Sequence, residues 1–215
     1  MPSEFPFMPQ PILPDDLWRR VEPLIPKPKR KNRHVKYAGR RRTDPRQILT
    51  GIIFVLRTGI PWRVLPATSE FPSGNTCRRW LVKWHKAGVW KHLLNILLAE
   101  LQSRGKINWQ RAIVDSASVR APGGGRKTGP NPVDRRKLGV KHHIITDAHG
   151  IPLAVIITSA NRHDITQLIP LVDHIPPVRG RRGRPRQQPK RVQGDRGYDS
   201  EAHRRALKKK GSSPC

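Results

Sequence analysis

The chain has 215 residues, with 43 Lys and Arg against 15 Asp and Glu, and its formal net charge is +28 at pH 7. A charge of this size attracts nucleic acid over long distances and makes the binding depend on salt through counterion release. A membrane-surface protein would share the positive charge, but it would also need a basic amphipathic helix or a lipid anchor, and the sequence shows neither.

The amino terminus, the longest apolar stretch and the number of cysteines exclude further classes of protein. The amino terminus lacks the charged region and apolar core of a signal peptide, and the apolar stretch from Ile48 to Leu56 is too short to span a bilayer. Two cysteines, Cys77 and Cys215, are too few for a disulfide framework or a zinc site. We therefore expect a cytoplasmic, nucleoid-associated protein. Charge alone leaves an RNA-binding structural protein open.

Four helices are predicted in the first half from apolar residues that recur with helical period. The second has the clearest ends, because Asp44 can form a capping box with Gln47 and Gly59 can stop the helix. The four predicted spans are Pro14 to Ile25, the residues between Asp44 and Gly59, Asn75 to Lys86, and Val89 to Ser103.

The third predicted helix is the candidate for reading DNA. Its apolar face holds Cys77, Trp80, Leu81 and Trp84, and its opposite face holds Arg79, Lys83 and Lys86. A recognition helix of a helix-turn-helix requires this division of faces. A core helix with an ordinary solvated basic face fits the same pattern equally well.

The second half changes to the alternating pattern of strands. We predict a strand over Arg111 to Ser118, a hairpin, a helix, a strand leading to Asp195, and a final helix. This order indicates a mixed α/β unit. The hairpin should pair Val140 to Thr146 with Ile151 to Ser159, and the two helices should span Asp164 to Ile175 and Ser200 to Lys210.

Asp115 and Asp195 are the candidate metal ligands. Each follows a predicted buried strand at a point where the backbone must turn. Two carboxylates side by side at the edge of one sheet form a hard-oxygen site for Mg²⁺ or Mn²⁺. Either residue alone is more often a surface Asp at a strand end. His142 and His143 point to opposite faces of a strand and cannot share an ion, while His163 and Asp164 are interpreted as helix caps.

Two connections combine Gly, Pro and like charge, which predicts mobile loops that order on phosphate. They run from Pro122 to Lys137 and from Pro176 to Arg191. Solvated linkers are the alternative interpretation. The candidate DNA contacts in them are Arg126, Lys127, Arg135, Arg136, Lys137, Arg181, Arg182 and Arg184. The run Arg40-Arg41-Arg42 could also hold a phosphate or could simply favour solubility.

Several motifs resemble the bacterial insertion-sequence DDE transposases, in particular the insertion-sequence-five family. The first half contributes Arg57-Thr58-Gly59-Ile60-Pro61-Trp62-Arg63-Val64-Leu65-Pro66. The second half contributes five segments, from about residue 112 onwards. These are Ala112 to Ser116, Lys127 to Asp134, Lys141 to Asp147, Asn161 to Asp164, and Asp195 to Ser200. The resemblance runs from about Leu13 to about Gly211.

The resemblance implies an amino-terminal helical, helix-turn-helix-like DNA-binding domain over residues 1–108 and a ribonuclease H-like catalytic core over residues 109–215. It places the first two acidic ligands at Asp115 and Asp195 and implies Mg²⁺ or Mn²⁺ as the cofactor. It further implies that a homo-oligomer acts on double-stranded DNA, both the terminal inverted repeats and the target, and cuts and joins phosphodiesters.

The chain departs from the family pattern at the third acidic residue. The family carries a Glu in a Tyr-Arg-Glu-Lys pattern well beyond the second Asp, and this sequence has only Glu201 after Asp199. We therefore expect a truncated or frameshifted transposase whose core lacks its last strand and the helix that carries the Glu. In that incomplete core, Arg191 to Gly194 would be an open sheet edge. Impaired catalysis would follow. A DNA-binding remnant that represses transposition without cutting is the alternative function.

Overall fold

The structure is a computed structural model and describes residues 11–27 and 42–214. Its contacts divide the chain into two compact units, Met1–Leu94 and Asn95–Cys215. The division lies inside a helix, Val89–Ser103, that continues from one unit into the next. The domain boundary between residues 108 and 109 stays a prediction. Arg40 and Arg41, the first two residues of the basic run, lie outside the described residues.

The described part of the first unit is helical, as predicted. All four predicted helices are present with ends within a few residues of those expected, and short 3₁₀ turns follow the first and second. The helices are α1 (Asp15–Val21), α2 (Pro45–Thr58), α3 (Gly74–Lys86) and α4 (Val89–Ser103), and the 3₁₀ turns are Glu22–Leu24 and Trp62–Val64.

Helix α2 shows how local sequence fixes its ends. Asp44 Oδ1 accepts a hydrogen bond of 3.0 Å from Arg46 N, Pro45 occupies the first turn, and Gly59 ends the helix at φ 69°. The predicted capping box is wrong, because Gln47 does not reach back to Asp44. Its Nε2 instead donates to Ser69 O at 2.8 Å and ties the helix to the loop before α3.

One apolar core joins the helices of the first unit. Phe71 and Trp84 are its largest fully buried side chains, and the sulfur of Cys77 lies inside it at zero exposure. The Trp84 ring contacts the rings of Trp80 and Trp90 at centroid distances of 5.8 and 5.9 Å. The tryptophans of α3 and α4 therefore pack within the core, as their helical spacing predicts.

The second unit is a six-stranded mixed sheet with two helices, after the carboxyl end of α4. The predicted hairpin and both predicted helices are present. The elements are β1 (Ala112–Arg120), β2 (Gly129–Pro130), β3 (Leu138–Asp147), β4 (Pro152–Ser159), α5 (Ile165–Asp173), β5 (Arg191–Gln193), α6 (Glu201–Lys209) and β6 (Ser213–Pro214), with a 3₁₀ turn at Arg196–Tyr198.

Strand pairing defines the topology of the sheet. β3 is antiparallel to β1 on one side and to β4 and β2 on the other, whereas β5 runs parallel to β1. β6 pairs in parallel with β5, with Arg191 opposite Ser213. The predicted open edge is therefore wrong for Arg191 and Val192, because β6, a strand after α6, pairs with both residues. The expectation that the last strand is missing is corrected with it.

Both basic connections contain more structure than predicted. In the first, β2 pairs with β3, and Asn131 N donates to Lys137 O at 2.9 Å, closing a loop over residues 131–137. In the second, Val178 and Arg186 exchange hydrogen bonds of 2.7 and 3.0 Å. The first segment is held by backbone pairing to β3 and the second by pairing within itself, and composition reveals neither.

Candidate functional site

The sheet brings Asp115 and Asp195 together. In the parallel pair of β1 and β5, Ala112 lies opposite Val192 and Ile113 opposite Gln193. Continuing this register by two residues places Asp115 beside Asp195, where the chain leaves β5 for the 3₁₀ turn. Adjacent strands lie about 4.8 Å apart, so both carboxylates can reach one ion or a pair of ions.

Both carboxylates are exposed, and one oxygen of each accepts a hydrogen bond from a backbone N–H. Asp115 Oδ1 accepts from the Ser116 backbone N at 2.7 Å, and Asp195 Oδ1 accepts from the Gly197 N at 2.9 Å. Within the described residues, the second oxygen of each side chain makes no protein hydrogen bond. Two oriented carboxylates with free oxygens are a donor set suited to a hard divalent cation that keeps part of its water shell.

Three neighbouring side chains that were not predicted as site residues fasten β1 to the start of α5. Ser116 Oγ donates to Asp164 Oδ1 at 2.8 Å, and Lys141 Nζ lies 3.1 Å from the same oxygen. The Lys141 ammonium also donates to Arg162 O at 3.0 Å. Asp164 occupies the N-cap position of α5, as predicted, but its carboxylate makes no capping hydrogen bond and points to β1 and β3 instead.

Two buried polar groups beside these residues lack hydrogen-bond partners within the described part of the chain. The Tyr198 hydroxyl is one of them. Burial, together with the negative charges of Asp164, Asp195 and Asp115, raises the pKa of Tyr198 to about 12, and the Ser116 hydroxyl opposes this shift. His143 Nδ1 is the other, and burial lowers the pKa of His143 although Asp164 opposes the shift. His143 Nε2 lies 2.8 Å from Thr158 Oγ1.

The acidic residues that follow Asp195 do not join the pair. Asp199 is bound by the guanidinium of Arg204, which lowers the pKa of Asp199, and Glu201 pairs with Arg205 one turn along α6. Over residues 11–27 and 42–214, no cluster of three or more His, Cys, Asp or Glu side chains could hold a metal ion. The described chain thus supplies two carboxylates to the candidate centre.

The predicted DNA-reading face of α3 is exposed. Arg79, Lys83 and Lys86 all lie on the solvent side, while Cys77 and Trp84 lie in the core. The Lys83 ammonium lies 4.3 Å from the centroid of the Trp80 ring, a cation–π contact that holds it against the helix. The structure therefore has the division of faces that the sequence predicted, and DNA contact stays a prediction.

The basic residues of the two connections differ in whether their side chains form hydrogen bonds with the rest of the protein. Arg181 Nε donates to Gln102 O at 3.1 Å, so this guanidinium satisfies a carbonyl near the end of α4. The other predicted contacts are exposed and make no hydrogen bond or ion pair with the described residues through their side chains. These are Arg126, Lys127, Arg135, Arg136, Lys137, Arg182 and Arg184.

None of the helices in the described ranges is both long and apolar enough to cross a membrane. Residues 13–94 match the family described as "Putative transposase of IS4/5 family", and residues 110–215 match the family described as "Transposase DDE domain". No solved structure matches the chain.

Two curated relatives from Burkholderia cepacia are similar to the chain. "Putative transposase for insertion sequence element IS402" is 58% identical over 105 residues, which cover 49% of this chain and 48% of the relative. "Insertion element IS402 uncharacterized 16.2 kDa protein" is 49% identical over 125 residues, which cover 58% of this chain and 84% of the relative. The match thus spans about half the length of the first relative. Together the two family matches and the two relatives show that the chain belongs to the IS4/5 family of insertion-sequence transposases.

Proposed function

We propose that this chain binds the end DNA of a bacterial insertion sequence and contributes two metal-ligating carboxylates to a transposase active site. The single observation that carries the proposal is the register of β1 and β5, which continues to place Asp115 beside Asp195. Their exposure and free oxygens make the pair accessible to a phosphate group. A sheet order in which β1 lies between an antiparallel β3 and a parallel β5 supports a ribonuclease H-like core.

Asp115 and Asp195 would hold Mg²⁺ or Mn²⁺, and their donor set fits either ion because both accept carboxylate oxygens and water. When bound, the ion supplies a Lewis acid that activates the attacking oxygen and stabilises the leaving oxygen of a phosphodiester. The protein's own contribution is position. The backbone N–H groups of Ser116 and Gly197 orient the two carboxylates, and the Ser116–Asp164–Lys141 contacts hold β1 against α5.

Helix α3 would supply sequence-dependent contacts to the same DNA. Arg79, Lys83 and Lys86 project from its exposed face, where a major groove could receive them. The basic connections would add phosphate contacts that do not depend on sequence. A homo-oligomer assembled on paired ends would bring two such sites together.

A second function, DNA binding without cutting, is favoured by one observation. Asp199 and Glu201 are paired with arginines, so within the described residues no third carboxylate joins Asp115 and Asp195. The chain would then occupy element ends and compete with a catalytically active transposase. We propose that catalysis by this polypeptide alone is impaired for this reason.

Incubation of the polypeptide with a pre-cut element-end duplex and Mn²⁺ tests both functions. We expect binding of the duplex without strand transfer, because within the described residues only two carboxylates, Asp115 and Asp195, are available to the candidate centre. Robust joining would contradict the impairment and would show that Glu201 or a partner chain supplies the ligand. Competition with an RNA of equal length provides the control, because preference for RNA over end DNA would overturn the proposed function.

A further inference from the structure

The loop over residues 131–137 has an unusual backbone. Arg135 and Arg136 have φ angles of 48° and 58°, and they are the two non-glycine residues with positive φ in the described part of the chain. This left-handed region is unfavourable for any side chain with a Cβ, and such residues cluster where function requires a set geometry. Two successive arginines in it therefore require an explanation.

Hydrogen bonds within the loop hold this backbone in place. Asn131 O accepts from Asp134 N at 3.2 Å and from Arg136 N at 2.9 Å, and the buried Asn131 side chain accepts from Val133 N at 3.1 Å. Arg120, at the end of β1, binds both oxygens of Asp134, one of them at 2.8 Å. The loop is thus formed before any ligand arrives.

The surface that this loop presents is both basic and apolar. Arg120 pairs with Asp134, whose pKa is lowered by this hydrogen bond and also by the nearby charge of Lys137. The side chains of Arg135 and Arg136 make no ion pair with the described residues. Beside them Val133 is 91% exposed, the largest exposure among the large apolar side chains of the described residues. An apolar tip flanked by guanidinium groups matches the minor groove of duplex DNA, where arginines enter a negative groove and apolar groups press against sugars and base edges.

The loop also lies at a suitable distance from the carboxylates. Arg120 follows Asp115 by five residues on the same strand, which corresponds to roughly 17 Å at a rise of about 3.3 Å per residue. A duplex rises about 3.4 Å per base pair, so this separation equals about five base pairs. Because five is an odd number of residues, the side chains of Arg120 and Asp115 point to opposite faces of β1. A single duplex would therefore meet both features by crossing the end of this strand.

We propose that residues 131–137 form a preformed minor-groove contact, in which Val133 enters the groove of duplex DNA and Arg135 and Arg136 bind its walls. This inference rests on the proposed function. It adds that the protein contacts the minor groove, about half a helical turn of DNA from the two carboxylates. A protein partner would be the competing occupant of an exposed valine.

Substituting Arg135 and Arg136 by glycine distinguishes their role in the backbone conformation of the loop from their role in DNA contact. Glycine adopts positive φ without steric cost, so Arg135→Gly with Arg136→Gly should leave the melting temperature unchanged or raised while DNA affinity falls. The matched control is Arg126→Gly with Lys127→Gly, which removes the same charge from the same connection at positions without positive φ. We expect the first pair to lose about tenfold more affinity for a short labelled A·T-rich duplex than the control pair.

Two further measurements identify the groove. Distamycin, which occupies the minor groove, should weaken binding by the wild-type protein and have little effect on the Arg135, Arg136 double variant. Val133→Ser should also lose affinity, whereas Val155→Ser, at a half-exposed valine on β4, should not.

Equal affinity losses by the two glycine pairs, or no effect of distamycin, would overturn the minor-groove contact while leaving DNA binding intact. Failure of the wild-type protein to bind the duplex at all would instead overturn the proposed function. A lower melting temperature with unchanged affinity would assign the two arginines to folding and would also overturn the inference.

Discussion

Ser116 Oγ donates a hydrogen bond of 2.8 Å to Asp164 Oδ1, and this bond joins the residue after a candidate metal ligand to the residue that precedes α5. Asp115 is the candidate ligand, and the position of its backbone on β1 depends on a contact to Asp164, which lies far away in sequence. Groups that orient metal ligands in this way commonly change affinity by tenfold or more when they are removed.

Ser116→Ala is expected to lower Mn²⁺ affinity by about tenfold through loss of this orientation, with a stability loss of about 1 kcal/mol. Ser118→Ala is the matched control, since Ser118 lies two residues further along β1 and is exposed. Isothermal titration with Mn²⁺ and thermal unfolding measure the two effects separately. Equal Mn²⁺ affinity for the two variants would assign Ser116 a role in stability alone.

Asp147 is expected to be important for the stability of the second unit. Its buried carboxylate accepts three backbone N–H groups at 2.8 to 2.9 Å, from Asn108, His149 and Ile151. Asp147→Ala would leave these donors unpaired inside the protein, so we expect a loss of about 3 kcal/mol or more in the free energy of unfolding.

Asp173→Ala provides the control for that measurement, because the Asp173–Lys210 pair is half exposed. A surface pair of this kind contributes about 1 kcal/mol or less. Denaturant unfolding of both variants compares the two sites. Similar losses at Asp147 and Asp173 would show that the turn tolerates unpaired donors through water.

Burial raises the pKa of the Cys77 thiol to about 11, from an ordinary value of 9.0. The folded protein then keeps its proton where the unfolded chain releases it, so this contribution to stability is present below pH 9 and is lost as the pH rises towards 11. Unfolding free energies measured across that range should fall more steeply for the wild type than for Cys77→Ala. Parallel curves would mean that the thiolate is tolerated in the core.

Charge reversal on α3 tests whether this helix reads DNA. Arg79→Glu with Lys83→Glu should remove the preference for element-end DNA over unrelated DNA, because base contacts supply specificity. Arg57→Glu with Lys91→Glu reverses the same charge at exposed positions on α2 and α4. The control should weaken binding to all duplexes alike, and the same result for the α3 pair would argue against a recognition helix.

The steep salt dependence of binding is a separate expectation. If about six phosphates are contacted, affinity should fall by about a thousandfold between roughly 50 and 200 mM salt. The net charge of +28 and the exposed basic side chains motivate this value. A flat response in fluorescence anisotropy would be inconsistent with phosphate contacts.

Local sequence was sufficient to predict the helices and the turn at Asp195, but the predicted strand end at Asp115 is wrong, because Asp115 lies inside β1 and pairs with Ile144. The apolar residues of α2 repeat with helical period between Asp44 and Gly59, and both ends carry local stop signals. Asp195 could be placed because a short strand is followed there by a glycine-containing turn. These signals act over a few residues, and the sequence contains them directly.

Contacts between distant residues could not be predicted. Asp164 looked like a helix cap, because only the folded sheet brings Ser116 to its carboxylate. β6 has two residues, which is too short for any alternation, and its pairing with β5 depends on the path of α6. The loop before β3 looked mobile because Arg120 and Asp134, which anchor it, are separated by other basic residues and glycines.

Mn²⁺ binding by Asp115 and Asp195 tests the central claim most directly, and electron paramagnetic resonance can count bound against free ion. Asp115→Asn and Asp195→Asn should each lower the amount of bound Mn²⁺ strongly while leaving DNA binding intact or slightly stronger, since a negative charge is removed. Asp199→Asn is the control, because its carboxylate is paired with Arg204 and should not contribute. If all three variants bind as much Mn²⁺ as the wild type, these two carboxylates do not form a metal site.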